Sequence, residues 1–406
     1  MYDVIVIGGG AAGMLASAVA AARGRRVLLL ERNDRPGKKL GITGKGRCNL
    51  ANDCQMDELQ ANIPTGGRFL RSALHNFGPR GVMELFESLG VPLKTERGGR
   101  VFPQSDRAAD VVGALIRYMD RAGVAQKRGR ALRITVESGE VTGIAAQGGE
   151  IKCGAVILAT GGMSYPATGS TGDGYKMASG LGHTVTPLRG SLVPLAADPG
   201  LCSRIQELKL KNVLLTIKDG GKKPVFEDFG ELSFTHFGLS GPLVLSASAH
   251  MRDFDNKKYH ALIDLKPALD EKKLDLRVLR DFEKYSNRDF ANALADLSSR
   301  QMIPALVERS GIPPGTKVRS ISRKQRLELI RLFKAFRVDI EGPRPVSEAI
   351  VTSGGVALSE INPKTMESKL VRGLYFAGEI IDADAYTGGF NLQIAWSTAH
   401  AAGTHV

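Results

Sequence analysis

The first apolar run of the chain, Val4-Ile5-Val6-Ile7, is four residues long and ends in a string of glycines, and behind it Met14 to Arg23 is built mostly of small residues. An unbroken apolar run of that length predicts a strand buried on both faces, as in a parallel sheet, and the small-residue stretch predicts a helix packed closely on it. A second run, Arg26-Val27-Leu28-Leu29-Leu30, predicts the next strand of the same sheet, ending at Glu31. Two further runs have the same texture: Ala155-Val156-Ile157-Leu158, and Gly373-Leu374-Tyr375-Phe376 near the C-terminus. Between them the pattern changes. From Ser191 to Asp264 short alternating runs dominate, such as Val213 to Ile217 before Asp219-Gly220-Gly221, which is a hairpin signal. From Leu269 to Phe336 the spacing turns helical, with Leu329, Leu332, Phe333 and Phe336 on one face and a break at Pro313-Pro314-Gly315.

The pattern therefore predicts a discontinuous domain over 1–187 and 350–406, an inserted β-rich domain over 188–268 and a helical subdomain over 269–349, the insert serving as a substrate or cap region. No internal repeat or low-complexity tract interrupts it.

The turn after the first strand carries the chemistry. Gly8-Gly9-Gly10-Ala11-Ala12-Gly13 is a G-x-G-x-x-G between strand and helix. The first glycine serves the tight turn, the second lets backbone approach a pyrophosphate, and the third lets the helix pack on the strand. Unpaired N–H groups at the helix start then face phosphate. Glu31 lies eighteen residues after the last of these glycines, where a carboxylate can accept both ribose hydroxyls of an adenosine. That unit is common to NAD and FAD sites. Two later segments separate them: small residues at Ala159-Thr160-Gly161-Gly162 let a connecting strand pass close to a cofactor, and the late strand ends in Gly378-Glu379, followed by Asp382 and Gly388-Gly389-Phe390-Asn391. A carboxylate at that strand end can hold a ribityl chain, and the helix start after it can present N–H groups to an isoalloxazine carbonyl. NAD has no ribityl chain, so the expected cofactor is FAD.

The chain has 406 residues, 55 Lys plus Arg against 42 Asp plus Glu, and a formal charge of +13. Such a surface could steer anionic substrates, nucleic acid or acidic membrane, and a pyrophosphate cofactor also recruits positive charge. Lys38, Lys39, Lys45 and Arg47 put four cations into a glycine-rich loop that can approach phosphate. Arg319 to Arg337 holds seven basic residues against one acidic, which usually marks a solvated helix face. Cys48, Cys54, Cys153 and Cys202 form no CxxC pattern, so free thiols and no structural metal are expected, with Cys48 a packing thiol. No apolar stretch approaches the ~20 residues needed to cross a bilayer, and a cytoplasmic protein is expected.

The order of G-x-G-x-x-G, Ala-Thr-Gly-Gly and a late Gly-Glu strand resembles the glutathione-reductase-type FAD fold. Gly37 to Asn49 (GKKLGITGKGRCN), Gly99 to Pro103 (GRVFP), Phe234 to Pro242 (FTHFGLSGP), Thr365 to Lys369 (TMESK) and Thr387 to Gln393 (TGGFNLQ) are more particular. Together they resemble the YhiN/BaiN-like flavoproteins, a family that includes aminoacetone oxidase, over nearly the whole chain. The resemblance implies an α/β fold with a Rossmann-like FAD-binding domain and an FAD-dependent oxidoreductase activity: reductase, dehydrogenase or oxidase, through flavin N5. It implies cofactor contacts at Gly8, Gly10, Ala11, Ala12, Gly13, Glu31 and Arg32, with Arg47, Cys48 and Asn49 beside the flavin. Thr160, Gly161, Gly162, Gly378, Glu379, Asp382, Gly389, Phe390, Asn391 and Leu392 complete the set, and Leu132 offers its backbone to adenine. Ala385 departs from the glycine common in the family at that place. Thr168 to Tyr175 is similar to the corresponding stretch of fumarate reductase and succinate dehydrogenase flavoproteins, which move hydrogen across a carbon–carbon bond.

No second G-x-G-x-x-G follows a strand, so NAD(P)H as electron donor would dock without a dedicated domain, and oxidation by dioxygen stays open. Arg100, His236 and Tyr386 are the polar candidates for handling a proton. A small-molecule substrate is expected as partner and nucleic acid is not, although a nucleic-acid-associated flavoprotein akin to tRNA-modifying enzymes is the alternative. Substrate identity, electron donor and oligomeric state are not encoded in any motif.

Overall fold

A computed structural model describes residues 1–406. It divides into two units, Met1–Ser191 with Val346–Val406, and Leu192–Pro345.

In the first unit the strand β1 (Tyr2–Ile7) sits at the centre of a parallel sheet. β2 (Val27–Glu31) pairs on one side, Val4 opposite Val27, and the second half of Gly149–Leu158 pairs on the other, Val4 opposite Ala155. Outside them lie Ala125–Arg128 next to β2 and the late strand Leu374–Phe376 next to Gly149–Leu158. All four apolar side chains of Val4 to Ile7 are buried, as both-face coverage of a parallel strand requires. Gly149–Leu158 serves two neighbourhoods. Its first half runs antiparallel to Glu140–Ala146, which pairs with Ala131–Glu137, and its second half belongs to the parallel sheet.

The helix α1 (Ala11–Ala22) covers one face, and the C-terminal helix Phe390–His405 lies against it. The two approach closely because both are rich in small residues: a Cβ on Gly403 would stand 2.7 Å from the Ala16 carbonyl oxygen. Trp396, fully buried, donates its indole N–H to the Leu50 carbonyl at 2.9 Å and meets Phe86 edge-on.

The second unit is a closed antiparallel barrel of six strands. In order they are Leu195–Ala197, Gly238–Ser240, Phe226–Thr235, Lys209–Lys218, His260–Asp264 and Phe336–Pro343, the last pairing back on the first. Closure removes both sheet edges. The helical stretch after Leu269 does not form a body of its own. Its apolar face, including Leu274, Val278, Leu329 and Phe333, shares one core with barrel residues such as Leu215, Phe234 and Ile263, and Phe336–Pro343 is itself a barrel strand. Two bodies therefore stand where the sequence pattern suggests three, because the period of the apolar positions says which face is buried and not against what. No helix is long and apolar enough to cross a membrane.

Candidate cofactor site

The glycine turn after β1 shows a separate reason for each of its fixed glycines. Gly8 has φ +104°, and a Cβ there would lie 2.6 Å from the Ala159 carbonyl oxygen, where the connecting strand passes. A Cβ on Gly13 would fall on the Gly8 carbonyl oxygen. Gly10, the N-cap of α1, has ordinary φ −78° and nothing of the protein within 4 Å of its Cβ position. The open side of the turn is thus at Gly10, in front of a twelve-residue helix with no side-chain cap and no acid in its first turn. Orphan amides and the positive end of the helix dipole remain there for an anion.

Glu31 stands at the end of β2 with both carboxylate oxygens held by backbone. Oε2 accepts from Gly9 N at 2.6 Å and Oε1 from Asn33 N at 2.7 Å, which fixes the group beside the turn. Arg32 donates to Thr171 at 2.6 Å and to Asp173 at 3.1 Å, and Asp173 also takes a two-pronged contact from Arg130 at 2.8 and 2.9 Å. This network brings the strand bearing Leu132, 55% exposed, toward the residue after Glu31.

The late strand closes on the same place. A Cβ on Gly378 would meet Ala12 at 2.8 Å, and Gly378 N donates to Thr398 at 2.9 Å. Glu379 next to it has 19% of its side chain exposed. Burial alone would raise its pKa, yet the group is held below the ordinary carboxylate range, because Lys39 Nζ lies at 2.8 Å and Thr352 N and Ser164 Oγ donate at 2.8 and 3.1 Å. Lys39 also donates to Ser164 at 2.6 Å. Gly162 lies against this cluster, since a Cβ on it would be 2.8 Å from Glu379 Oε1.

Gly389 is the N-cap of the C-terminal helix with φ +103°, pressed on the backbone of Ala51. Asn52 Nδ2 bridges Gly98 O and Gly388 O, both at 3.0 Å, and so ties the loop after Asn49 to this helix start. Asn391 turns its side chain back on its own loop, accepting from Ala385 N at 2.9 Å and donating to Ala385 O at 2.7 Å. It fixes the shape of the loop, with Ala385 buried at its centre. Phe390 is buried, Leu392 is half-buried, and Asp382 N donates to Val356 O at 3.1 Å.

The loop cations and the candidates for handling a proton lie in different surroundings. Of the four cations in the glycine-rich loop only Lys45 carries no ion pair: Lys38 binds Asp34 at 2.7 Å, Lys39 binds Glu379, and Arg47 is held by Glu96 and Asp106 while lying 4.1 Å over Phe102. Arg100 is exposed and binds the Arg97 carbonyl at 3.1 Å, with Glu96 at 3.9 Å. His236 belongs to the second unit, exposed at the tight turn between two barrel strands and edge-on to Phe237. Tyr386 is half-buried, and its N–H donates to Asn62 O at 3.0 Å. Cys48, fully buried with φ +62°, has its thiol pushed up to about 12 by that burial and stays neutral.

Ser164, Thr352, the Arg130–Asp173 pair and the pairing of Lys39 with Glu379 are what sequence reasoning passed over. Their partners lie tens to hundreds of positions apart, and no local spacing marks them.

The match to a dinucleotide carrying a flavin rests on polar atoms left over. Among the buried side chains, Asn49 Oδ1, Asn52 Oδ1, Thr160 Oγ1 and Gln393 Oε1 have no hydrogen-bond partner within the protein, and the first three belong to the segments that converge here. Buried polar atoms are costly unless paired. A ligand rich in donors and acceptors satisfies them, and FAD fits the open helix start together with the carboxylates of Glu31 and Glu379 beside it.

Fold and site define an FAD-binding Rossmann flavoprotein of the oxidoreductase class. Residues 2–405 match the HI0933-like protein Rossmann domain, and the chain belongs to that family. It is 32% identical to a 3-dehydro-bile acid delta(4,6)-reductase of Clostridium scindens, over 99% of this chain and 98% of that one. It is likewise 32% identical to a ribosomal RNA dihydrouridine synthase of Escherichia coli, over 98% of this chain and 96% of that one. In fold it is similar to the 3-ketosteroid delta1-dehydrogenase of Sterolibacterium denitrificans, with a TM-score of 0.55 at 15% identity over 100% of this chain and 99% of that one.

Proposed function

We propose that this protein is an FAD-dependent reductase that saturates a carbon–carbon double bond activated by a neighbouring carbonyl. The observation that supports this most is a coincidence of chemistry. Two relatives of equal identity and nearly full coverage are named for unlike substrates, a bile acid and an RNA base, and both names denote the same kind of change, a double bond becoming single. A bound flavin supplies hydride through N5. The chain supplies placement: Glu31 for the adenosine ribose, the amides at the start of α1 for the pyrophosphate, Glu379 with Lys39 for the ribityl chain, and the N–H groups after Gly389 for the flavin carbonyl. A nicotinamide nucleotide is the electron source in this reading, docking directly on the flavin.

The test is an anaerobic titration of the yellow protein. NADH or NADPH is expected to bleach it, and an α,β-unsaturated cyclic ketone or uridine-containing RNA is expected to restore the colour without oxygen. Colour restored by dioxygen alone would overturn the reading in favour of an oxidase.

A second reading places the double bond in a pyrimidine ring carried by RNA. It is favoured by cations in the second unit that have no carboxylate partner.

A further inference from the structure

The basic run noted in the sequence divides in the fold. Arg326 pairs with Asp275 at 2.7 Å, Arg331 with Glu328 at 2.5 Å, Lys334 with Asp264 at 2.6 Å and Arg337 with Asp339 at 2.8 Å. These four are neutralised inside the unit. Arg319, Arg323 and Lys324 are exposed and have no carboxylate partner, Arg319 reaching only the Asn287 side-chain oxygen at 3.4 Å.

Backbone bonds add a fourth cation to these three. Val318 N donates to Arg288 O at 3.1 Å, Arg319 N to Ser286 O at 3.1 Å and Phe290 N to Thr316 O at 2.8 Å, so the segments 286–290 and 316–319 run side by side. Arg288 is exposed and has no carboxylate either, its guanidinium lying 4.8 Å from the centre of the Tyr285 ring. Lys284 and Lys317 flank the group, answered by Asp296 at 2.9 Å and Asp289 at 2.7 Å. The helix Arg323–Lys334 opens with a Ser322–Gln325 capping box, and its first turn holds Arg323 and Lys324 but no acid. Cations there oppose the helix dipole, and the unpaired like charges of Arg319, Arg323 and Lys324, within ~20 Å of chain and next to the Arg288 segment, repel one another. None of the four is paired with a carboxylate of the unit.

We propose that this edge, formed by Arg288, Arg319, Arg323 and Lys324, docks RNA through its phosphates, with the Arg288 guanidinium, beside the Tyr285 ring, offering its plane to an unpaired base. The inference rests on the second reading above. Phosphates neutralise the four charges and release counterions, and a guanidinium on an aromatic ring suits the unstacked bases of single-stranded RNA better than a closed duplex.

The experiment follows fluorescence anisotropy of a labelled, uridine-rich single-stranded RNA titrated with the flavin-loaded full chain at several salt concentrations. Duplex DNA of the same sequence and phosphatidylglycerol vesicles are run beside it. The wild type is expected to bind the single strand in preference to the duplex. Arg319→Gln/Arg323→Gln/Lys324→Gln is expected to weaken binding by at least about tenfold and to lower the slope of log K against log salt by about 2, at ~0.7 per lost phosphate contact on a single strand. Flavin content and melting temperature, measured on the same samples, are expected to stay at wild-type values and so separate loss of binding from loss of fold. Arg288→Ala is expected to reduce the preference for single strand over duplex. RNA binding that survives the triple substitution overturns the proposal, as does a wild type that ignores RNA or binds only the vesicles. None of these results touches the titration with free unsaturated ketone, so the reductase reading stands or falls separately.

Discussion

Glu379 and Lys39 form a half-buried ion pair in the candidate cofactor site. Because the folded carboxyl is held below its ordinary range, the group stabilises the protein above about pH 4.3, the unfolded reference, and that contribution fades as pH falls through the folded value. Lys39→Met removes the cation and leaves burial, which pushes the pKa the other way. The variant's stability is then expected to decline as pH rises through the elevated value. At about pH 7 the deficit against wild type should be ~1–3 kcal/mol, and it should shrink toward about pH 4.5. Urea unfolding at both pH values measures it. A deficit indifferent to pH would mean that Lys39 acts through packing of its stem. The pair also marks the limit of sequence reading at this scale. Glu379 is legible from a strand ending in Gly-Glu, whereas its partner, 340 positions away, has the look of a phosphate ligand because a loop of glycines and lysines is the same in either role.

The strand–turn–helix element at the N-terminus was legible almost completely, since an apolar run, three glycines at fixed offsets and a small-residue helix each report a local constraint. Gly10 and Gly13 allow those constraints to be told apart. Gly10→Ala adds a Cβ at permitted φ into space the protein does not use, so stability should change by less than about 0.5 kcal/mol while flavin retention falls sharply. Gly13→Ala drives a Cβ into the Gly8 carbonyl, and a loss of ~2 kcal/mol or more is expected as helix and strand separate. Thermal unfolding and the flavin-to-protein absorbance ratio give both numbers. Equal behaviour of the two variants would contradict the separate roles. The barrel was less legible. Alternating runs announce strands, but closure depends on Phe336–Pro343 finding Leu195–Ala197 across the entire insert, and no local signal carries that pairing.

Across the whole chain, the apolar clusters divide as the two units do. One core lies wholly within Leu192–Pro345, and Arg344 N donates to Pro194 O at 2.9 Å, which brings the ends of that unit together. Residues 192–345 expressed alone are therefore expected to unfold cooperatively and to be colourless. A non-cooperative transition by circular dichroism would show that the barrel core depends on the rest of the chain.

The strand segments Arg189–Ser191 and Val351–Ser353 pair with each other, Ser191 opposite Val351, so the polypeptide leaves the first unit and comes back to it at neighbouring points. An excursion that starts and finishes at one doorway can be lengthened, shortened or exchanged without disturbing the room behind it. In such an arrangement, descent can rebuild the inserted unit while the sheet around β1 stays as it is.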